Sequence, residues 1–334
     1  MILVTGGTGL VGAHLLYRLA LSDDKIRAIY RSEIRLEKVK EVFSFYTDTI
    51  EKPFSKIEWV KADITDVPSM IPVFVGIKKI YHCAGLVSFN PKDYIEMRKV
   101  NIHGTAIIAN LSIDAKIDKL CFVGSIAAVG DAVNGKTITE ENEWNDQADN
   151  SGYAITKYGA EMEVWRASQE GVEVVIVNPG IILGSGFWNV GSGKLFTKIY
   201  KEFNYFTEGI TGFVGVQDVV KCMVSLMNST VKNERFIIVS ENKSFKDILF
   251  SIAKYFGKNP PQKNIKSWQI AIFWRLSWLL SKITGKEPLV TKHSAKSAHS
   301  VSKYSSDKIK KTLGFEFQKM DEVVLEVCKK YKKG

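Results

Sequence analysis

The first sixteen residues, MILVTGGTGLVGAHLL, run from a short β-branched strand through a glycine turn straight into an amphipathic helix. Glycines let such a turn close tightly and let the backbone approach a bound group, while the helix that follows aims its first amides over the turn. An anion suits that position, because those amides carry the positive end of the helix dipole. A strand leading into a helix also commits the chain to a crossover, and crossovers build parallel sheets. Two glycine frames overlap in TGGTGLVG (5–12): Gly7, Gly9 and Gly12 spell GxGxxG, whereas Thr5, Gly6, Gly9 and Gly12 spell TGxxGxxG. A GxGxxG match alone is weak, so residues further along must settle the frame.

Short β-branched runs recur at ILVT (2–5), IRAIY (26–30), IEWV (57–60), IKKIYH (77–82), KLCFVG (119–124) and VEVVIV (172–177), with helical patterns near 10–21, 33–48, 94–113 and 153–170. This alternation predicts an α/β fold, a Rossmann-type doubly wound parallel sheet with helices on both faces. The later runs are continuously apolar, as strands covered on both faces should be. After Pro179 the rhythm changes to a Gly-rich stretch, GSGFWNVGSG (184–193), then helices, a strand RFIIVS (235–240) and a helix-rich tail. The expected organisation is a nucleotide-binding core over 1–180 and a smaller, helix-rich C-terminal substrate lobe over 181–334, with segments of that lobe returning to the core. With 334 residues and 45% hydrophobic content, the chain can bury both.

Composition removes several function classes. Cys83, Cys121, Cys222 and Cys328 are scattered, without CxxC spacing or disulfide density, and read as reduced thiols. The five histidines show no ligand spacing, so no metal is expected; His82, inside a strand, reads as a packed residue. Glu140, Glu141, Glu143, Asp146 and Asp149 read as a solvated lid. The net charge of +10 comes partly from lysines at 308–311 and 329–333, with no aromatic-plus-basic module beside them, so nucleic acid is not an expected partner. No basic, apolar leader precedes the first strand, and a cytoplasmic location is the expectation.

In NAD sites of this design an Asp or Glu commonly ends the second strand and accepts from the ribose hydroxyls. Here IRAIYRSE puts Arg31 there, with Arg35 and Lys38 on the following turns. A guanidinium suits the 2′-phosphate of NADP through paired, charge-assisted hydrogen bonds, so NADP(H) is the expected cofactor. Glu33 keeps NAD(H) open, and a simple solvated basic face is the other reading of these residues. Downstream, SGYAITKYGAEMEV sets Tyr153 and Lys157 four residues apart, on one face of a predicted helix. A phenol ordinarily titrates near ~10, and a neighbouring ammonium moves it toward a usable acid or base. A strand ending in Ser125 precedes the pair.

With these residues in place, the chain resembles the extended short-chain dehydrogenases/reductases, the superfamily also called the NAD-dependent epimerase/dehydratase family. The similar segments run through nearly the whole chain: TGGTGLVG (5–12), ADITD (62–66), YHCAG (81–85), VNIHGT (100–105), FVGSIAAVG (122–130), YAITK (153–157) and NPG (178–180). The resemblance implies that Gly6, Gly9 and Gly12, with Thr8, Leu10 and Val11, form the phosphate turn. It implies that Asp63 and Ile64 border the adenine, and that Ala84, Gly85, Pro179 and Gly180 line the cofactor. It also implies a triad: Tyr153 exchanges a proton with a substrate oxygen, Ser125 hydrogen-bonds that oxygen, and Lys157 holds the nicotinamide ribose and tunes Tyr153. A homodimer is implied as well. The glycine frame is then TGxxGxxG, and Gly7 is incidental.

Local features narrow the branch. In Ser125-Ile-Ala-Ala-Val-Gly130, Val129 stands where sugar epimerases have a tyrosine, and Ile126 and Ala127 replace the acidic pair of sugar dehydratases. NPGIILGS (178–185) resembles the NPxxxxGP of dihydroflavonol reductases, cinnamoyl-CoA reductases and 3β-hydroxysteroid dehydrogenases, with Ser185 in place of the final proline. TEENEWND (139–146) resembles the ExxW stretch of those reductases, and Arg31 and Lys38 match the spacing of the basic pair that grips the NADP phosphate in dihydroflavonol reductases. EPLVTKHSA (287–295) and YSSDKIKKTLGFEF (304–317) look like the closing segments of the 3β-hydroxysteroid dehydrogenase-like branch. The expected activity is hydride transfer between NAD(P)H and a carbonyl or alcohol of a moderately apolar small molecule. A nucleotide-sugar epimerase with retained NAD and a non-catalytic NADP-binding regulator are the alternatives.

Ser88, Phe89, Phe187 and Trp188 follow cofactor-side loops; they are candidates to face substrate, or to anchor their loops. KSWQIAIFWRLSWLL (266–280) is too short, and interrupted by Arg275, to span a bilayer. Core packing, a substrate-pocket wall and an interfacial membrane helix are its three readings.

Overall fold

Seven parallel strands form the main sheet of the computed structural model, which describes residues 1–132, 135–284 and 291–332. In chain order the strands of the protein are β1 (Ile2–Thr5), β2 (Ile26–Tyr30), β3 (Ile57–Lys61), β4 (Lys79–His82), β5 (Lys119–Val123), β6 (Glu173–Pro179), β7 (Ile181–Leu183), β8 (Tyr205–Phe206), β9 (Ile210–Gly215), β10 (Glu234–Ile238), β11 (Glu241–Ser244) and β12 (Lys263–Asn264). Across the main sheet the order is β10-β6-β5-β4-β1-β2-β3. Strand order therefore reverses between β1 and β4, and in such sheets ligands bind in the crevice beyond the strand ends at that point. Thr5 and His82 are register partners there.

The apolar runs alternate between two cores, as period-two side chains must. Leu3, Ile80, Leu120, Phe122, Val174 and Ile176 meet one set of buried residues, which includes Ile108 and Val164 of the helices Gly104–Asp114 and Gly152–Gln169. Val4, Tyr81, Cys121, Val123, Val175 and Val177 meet the other, which includes Leu16 and Met223 of the helices Leu10–Ala20 and Val216–Met227. Lys119 is a buried charge in an otherwise apolar strand. Its ammonium donates to the carbonyls of Leu226 and Ser229 at 2.8 Å, which satisfies the end of Val216–Met227 and meets the negative pole of that helix.

The chain beyond residue 180 divides its contribution. β10 extends the main sheet beside β6, and Ile309, Leu313, Phe315 and Phe317 of the tail pack on the sheet core. The remainder builds a small lobe: β11, β9 and β7 form a three-stranded sheet, and Phe196, Phe213, Ile252, Phe256 and Val324 close its own core.

Two elements differ from the sequence expectation. The stretch 94–113 is not one continuous α-helix, because Arg98–His103 forms a π-helical turn between Tyr94–Met97 and Gly104–Asp114. Asn101 lies within this turn, a kind of irregularity that is frequent at functional sites. The stretch 266–280 lies on the helix Ser267–Thr284, and core packing does not describe it: Trp268, Ile272, Phe273, Leu276, Trp278, Leu279 and Leu280 are all exposed. Among the described residues no helix is long and apolar enough to cross a membrane. Residues 287–290 of the EPLVTKHSA segment lie outside the described residues.

Candidate active site

The glycine turn fills the mouth of the β1/β4 crevice. Gly6 has φ +67°, and a Cβ there would lie 2.5 Å from the Ala84 nitrogen. A Cβ on Gly12 would lie 2.2 Å from the Gly6 carbonyl oxygen. Gly9 precedes the helix and donates its amide to that same oxygen at 3.0 Å. All three are crowded by backbone, which cannot step aside. Gly7 differs: its closest neighbour would be the movable end of the Leu16 side chain, at 2.7 Å. The backbone thus uses the TGxxGxxG frame. No side chain caps the helix Leu10–Ala20, so its first-turn amides are left to the crevice, and this Cβ-free cradle fits a pyrophosphate. Thr8 lies in the turn, Leu10 reaches the backbone at Gly184, and Val11 packs on the sheet core.

Beyond β2 and β3, the Arg31 guanidinium stands 3.8 Å from the Asp63 carboxylate, both half-exposed. Burial raises the Asp63 carboxyl, but the amide and hydroxyl of Thr65, each donating at 2.9 Å, together with Arg31 hold it below its ordinary value. Asp63 is therefore anionic and oriented, and it shares an edge of the crevice with Arg31. Ile64 is buried beneath Gly104. Lys38 pairs with Glu41 at 2.5 Å on its own helix, so part of its charge is already engaged.

Ser125 follows β5, and its hydroxyl accepts from the Ala127 amide at 3.1 Å. Ser151 caps the helix Gly152–Gln169 by accepting from the Ala154 amide at 3.1 Å, and this helix carries Tyr153 and Lys157. Burial raises the Tyr153 phenol above its ordinary value, and a hydrogen bond with Ser125 works against the rise. The phenol therefore holds its proton at neutral pH, and the lowering expected from a neighbouring ammonium is not found, because burial is the larger effect. The Lys157 ammonium donates to the Val123 carbonyl at 2.7 Å and lies 4.6 Å from the Phe122 ring centre. Burial lowers it to about 8, against the pull of Glu161 and Cys83. Gly85 faces the same lysine, since a Cβ there would sit 3.9 Å from Nζ. Pro179 ends β6, and Gly180 is a glycine because β9 passes close: its Cβ would be 2.4 Å from the Gly212 carbonyl oxygen.

A hydrogen-bond chain that sequence reasoning missed ties this group to the glycine turn. Thr105 donates to the Asn101 carbonyl at 2.5 Å, so it accepts from His82 Nε2 at 3.0 Å. His82 Nδ1 then accepts from Thr5 at 2.6 Å, and Thr5 accepts from the Ala84 amide at 3.4 Å. Burial and the nearby Lys157 hold His82 down at about 3, so it stays neutral in this tautomer. The Asn101 amide exchanges two bonds with Leu86 and donates to Thr156, which donates to the Tyr153 carbonyl. On the opposite side, Asn178 donates to the Ser125 carbonyl at 3.0 Å and to the buried Glu161 at 2.8 Å, and Glu161 also meets Arg235 at 3.3 Å. VNIHGT and NPG contain Asn101 and Asn178; nothing local pointed to Glu161 or Arg235.

The substrate-side candidates separate. The exposed Phe89 ring stands 5.7 Å from the Tyr153 ring, beside the phenol. Ser88 donates to Asp93 at 2.5 Å and accepts from the Asn90 amide, which is loop anchoring. Phe187 packs on the sheet core, and Trp188 lies edge-on to Phe45, Phe196 and Tyr331, so these two anchor the Gly-rich stretch. The acidic run is not wholly a solvated lid. Glu140 accepts from the Ile237 amide at 2.7 Å, and its burial raises its carboxyl.

A parallel sheet with a glycine turn at its switch point, and a serine, tyrosine and lysine gathered beyond β5, defines a dinucleotide-binding enzyme fold. Residues 2–238 match the model of the NAD dependent epimerase/dehydratase family, and the chain belongs to that family. It is an NAD(P)-dependent oxidoreductase. It is 25% identical over 323 residues to a putative dihydroflavonol 4-reductase of Synechocystis sp., covering 93% of this chain and 88% of the relative. It is 26% identical to sterol demethylase protein B of Methylococcus capsulatus, covering 78% and 76%. Among solved structures, gox2253 aligns with a TM-score of 0.82 at 23% identity, covering 100% of this chain and 98% of that one. A Thermotoga maritima UDP-glucose 4-epimerase aligns at 0.77 with 18% identity, covering 99% and 98%. These structural likenesses concern the fold.

Proposed function

We propose that the chain reduces a ketone or aldehyde of a moderately apolar small molecule with NADPH, and that it catalyses the reverse oxidation when the alcohol is in excess. The observation that carries this reading is the gathering of Ser125, Tyr153 and Lys157 beside the glycine cradle. When bound, the cofactor supplies or accepts hydride at its nicotinamide ring. The phenol keeps its proton at neutral pH and can pass it to the forming alkoxide, a far stronger base, and Ser125 beside it can donate a hydrogen bond to the same oxygen. Lys157, anchored on Val123, offers its remaining donors to the cofactor ribose. Ile126 and Ala127 supply no acid or base for elimination, and the relatives named as reductases point the same way. The test is NADPH oxidation across aldehydes, steroid ketones, β-keto acyl compounds and flavonoid-like ketones. Interconversion of a UDP-sugar without net cofactor consumption would replace the proposal with an epimerase.

Cofactor choice is assigned to Arg31. Losing a charge-assisted pair to the 2′-phosphate costs about 1.5–3 kcal/mol, so Arg31→Ala should weaken NADPH binding by roughly tenfold or more and leave NADH nearly unchanged. Fluorescence titration of both cofactors reads this directly. Equal wild-type affinities for the two cofactors would remove Arg31 from the role.

Lys157 sets a pH dependence. Below about 8 it is an ammonium, and as pH rises through that value the unliganded protein loses the charge. NADPH affinity should hold from neutral pH to about 8 and then fall, by at most about tenfold per pH unit for one linked proton. Lys157→Met should bind weakly with a flat profile. A wild-type profile that stays flat to high pH would contradict this role.

A further inference from the structure

The helix Ser267–Thr284 turns much of its apolar surface outward. At 100° per residue, Trp268, Ile272, Phe273, Leu276, Leu279 and Leu280 fall on one broad face, and every one is exposed. The face turned inward carries Ser277 and Ser281, which are 7% and 6% exposed, with the half-buried Ile270 and Trp274 beside them. A helix built only to pack on its own protein would bury more of these large apolar side chains. Monomeric soluble proteins rarely leave a contiguous apolar face of this kind open.

The sequence around this helix is one-sided in charge, although Lys254 and Lys258 already face Asp321 and Glu202 at 3.9 and 3.7 Å. Between Asp247 and Glu287 the chain contains Lys254, Lys258, Lys263, Lys266, Arg275, Lys282 and Lys286, and no Asp or Glu. Lys263, Lys266 and Arg275 are exposed beside the apolar face. A second copy of the chain docking through this face by twofold symmetry would set that cationic rim against itself, at a Coulombic cost. An anionic surface meets it with complementary charge, and tryptophans beside lysines are side chains that favour the boundary between headgroups and acyl chains.

We propose that Ser267–Thr284 is an interfacial anchor that lies flat in the surface of an anionic lipid bilayer, its Trp268-to-Leu280 face at the acyl boundary and its cations on the headgroups. The helix packs on Lys292–Ser297, and Lys292 and Lys296 reach Asp149 at 3.3 and 3.5 Å, just ahead of the Ser151 cap on the helix that carries Tyr153. Docking therefore brings the segment before the catalytic helix close to the membrane, where an apolar carbonyl compound would concentrate. The anchor itself is independent of the proposed reaction.

The test uses the full chain with vesicles of phosphatidylcholine alone, or of phosphatidylcholine with a minor share of phosphatidylglycerol. Wild type should co-sediment with the anionic vesicles about tenfold better than with the neutral ones, and less so as salt rises. Trp emission should shift to the blue and be quenched by brominated acyl chains. The variant Trp268→Glu/Leu276→Glu/Leu279→Glu should lose binding by about tenfold or more, and because the altered sites are exposed, it should keep its unfolding temperature and vesicle-free NADPH affinity. Wild type left in the supernatant with anionic vesicles overturns the anchor. So does vesicle binding undiminished in the variant, or a wild-type dimer that the variant breaks and that vesicles fail to capture.

Discussion

Tyr153→Phe is expected to lower kcat for carbonyl reduction by about 10²–10⁴-fold, the contribution of a positioned general acid. The change removes one hydroxyl and leaves the ring against Phe89, so the helix Gly152–Gln169 and its Ser151 cap should be unaffected. Ser125 keeps its bond from the Ala127 amide, and Lys157 keeps its anchor on Val123. NADPH affinity should accordingly change little, and the loss should fall on kcat and kcat/KM together, as for an interaction made only in the transition state. Steady-state kinetics with titrated cofactor checks both halves. Full turnover in the variant would remove Tyr153 from the chemistry, while lost cofactor binding would recast it as a structural residue.

Gly12→Ala should remove cofactor binding, and Gly7→Ala should not. At Gly12 the new methyl meets the Gly6 carbonyl at 2.2 Å and the Gly7 Cα at 2.8 Å, so the turn must open and the first-turn amides of Leu10–Ala20 must leave their aim. The expected results are a loss of NADPH affinity of roughly 100-fold or more and a destabilisation of about 1–3 kcal/mol, typical of overpacking. At Gly7 the obstacle is a leucine methyl that can turn away. Titration and thermal unfolding of both variants separate the two glycine frames; a Gly7→Ala protein worse than Gly12→Ala would reverse the assignment.

The residues that were readable in advance share one property: their meaning is local. Leu3 and Val4 enter opposite cores because strand side chains alternate, and the same rule sorts Leu120 from Cys121 and Val174 from Val175. Tyr153 and Lys157 share a helix face because they are four residues apart. Phe187 and Trp188 were not separable from Phe89 in this way. All three are aromatics on loops near glycines, and only packing shows that Phe89 meets Tyr153 while Trp188 meets Tyr331.

The amino-acid order alone determined the parallel α/β core, the place of the glycine turn and the tyrosine and lysine pair, because each follows from periodicity or from backbone conformations that only glycine adopts easily. Tertiary structure decided the rest. It set Arg31 beside Asp63 and Glu161 beside Arg235, made β10 the seventh strand, and bonded Asn101, within a π-helical turn, to Leu86. It also turned the tryptophan-rich helix outward. These outcomes depend on which distant surfaces meet, and the free energy of such meetings depends on shape and burial that no window of sequence contains.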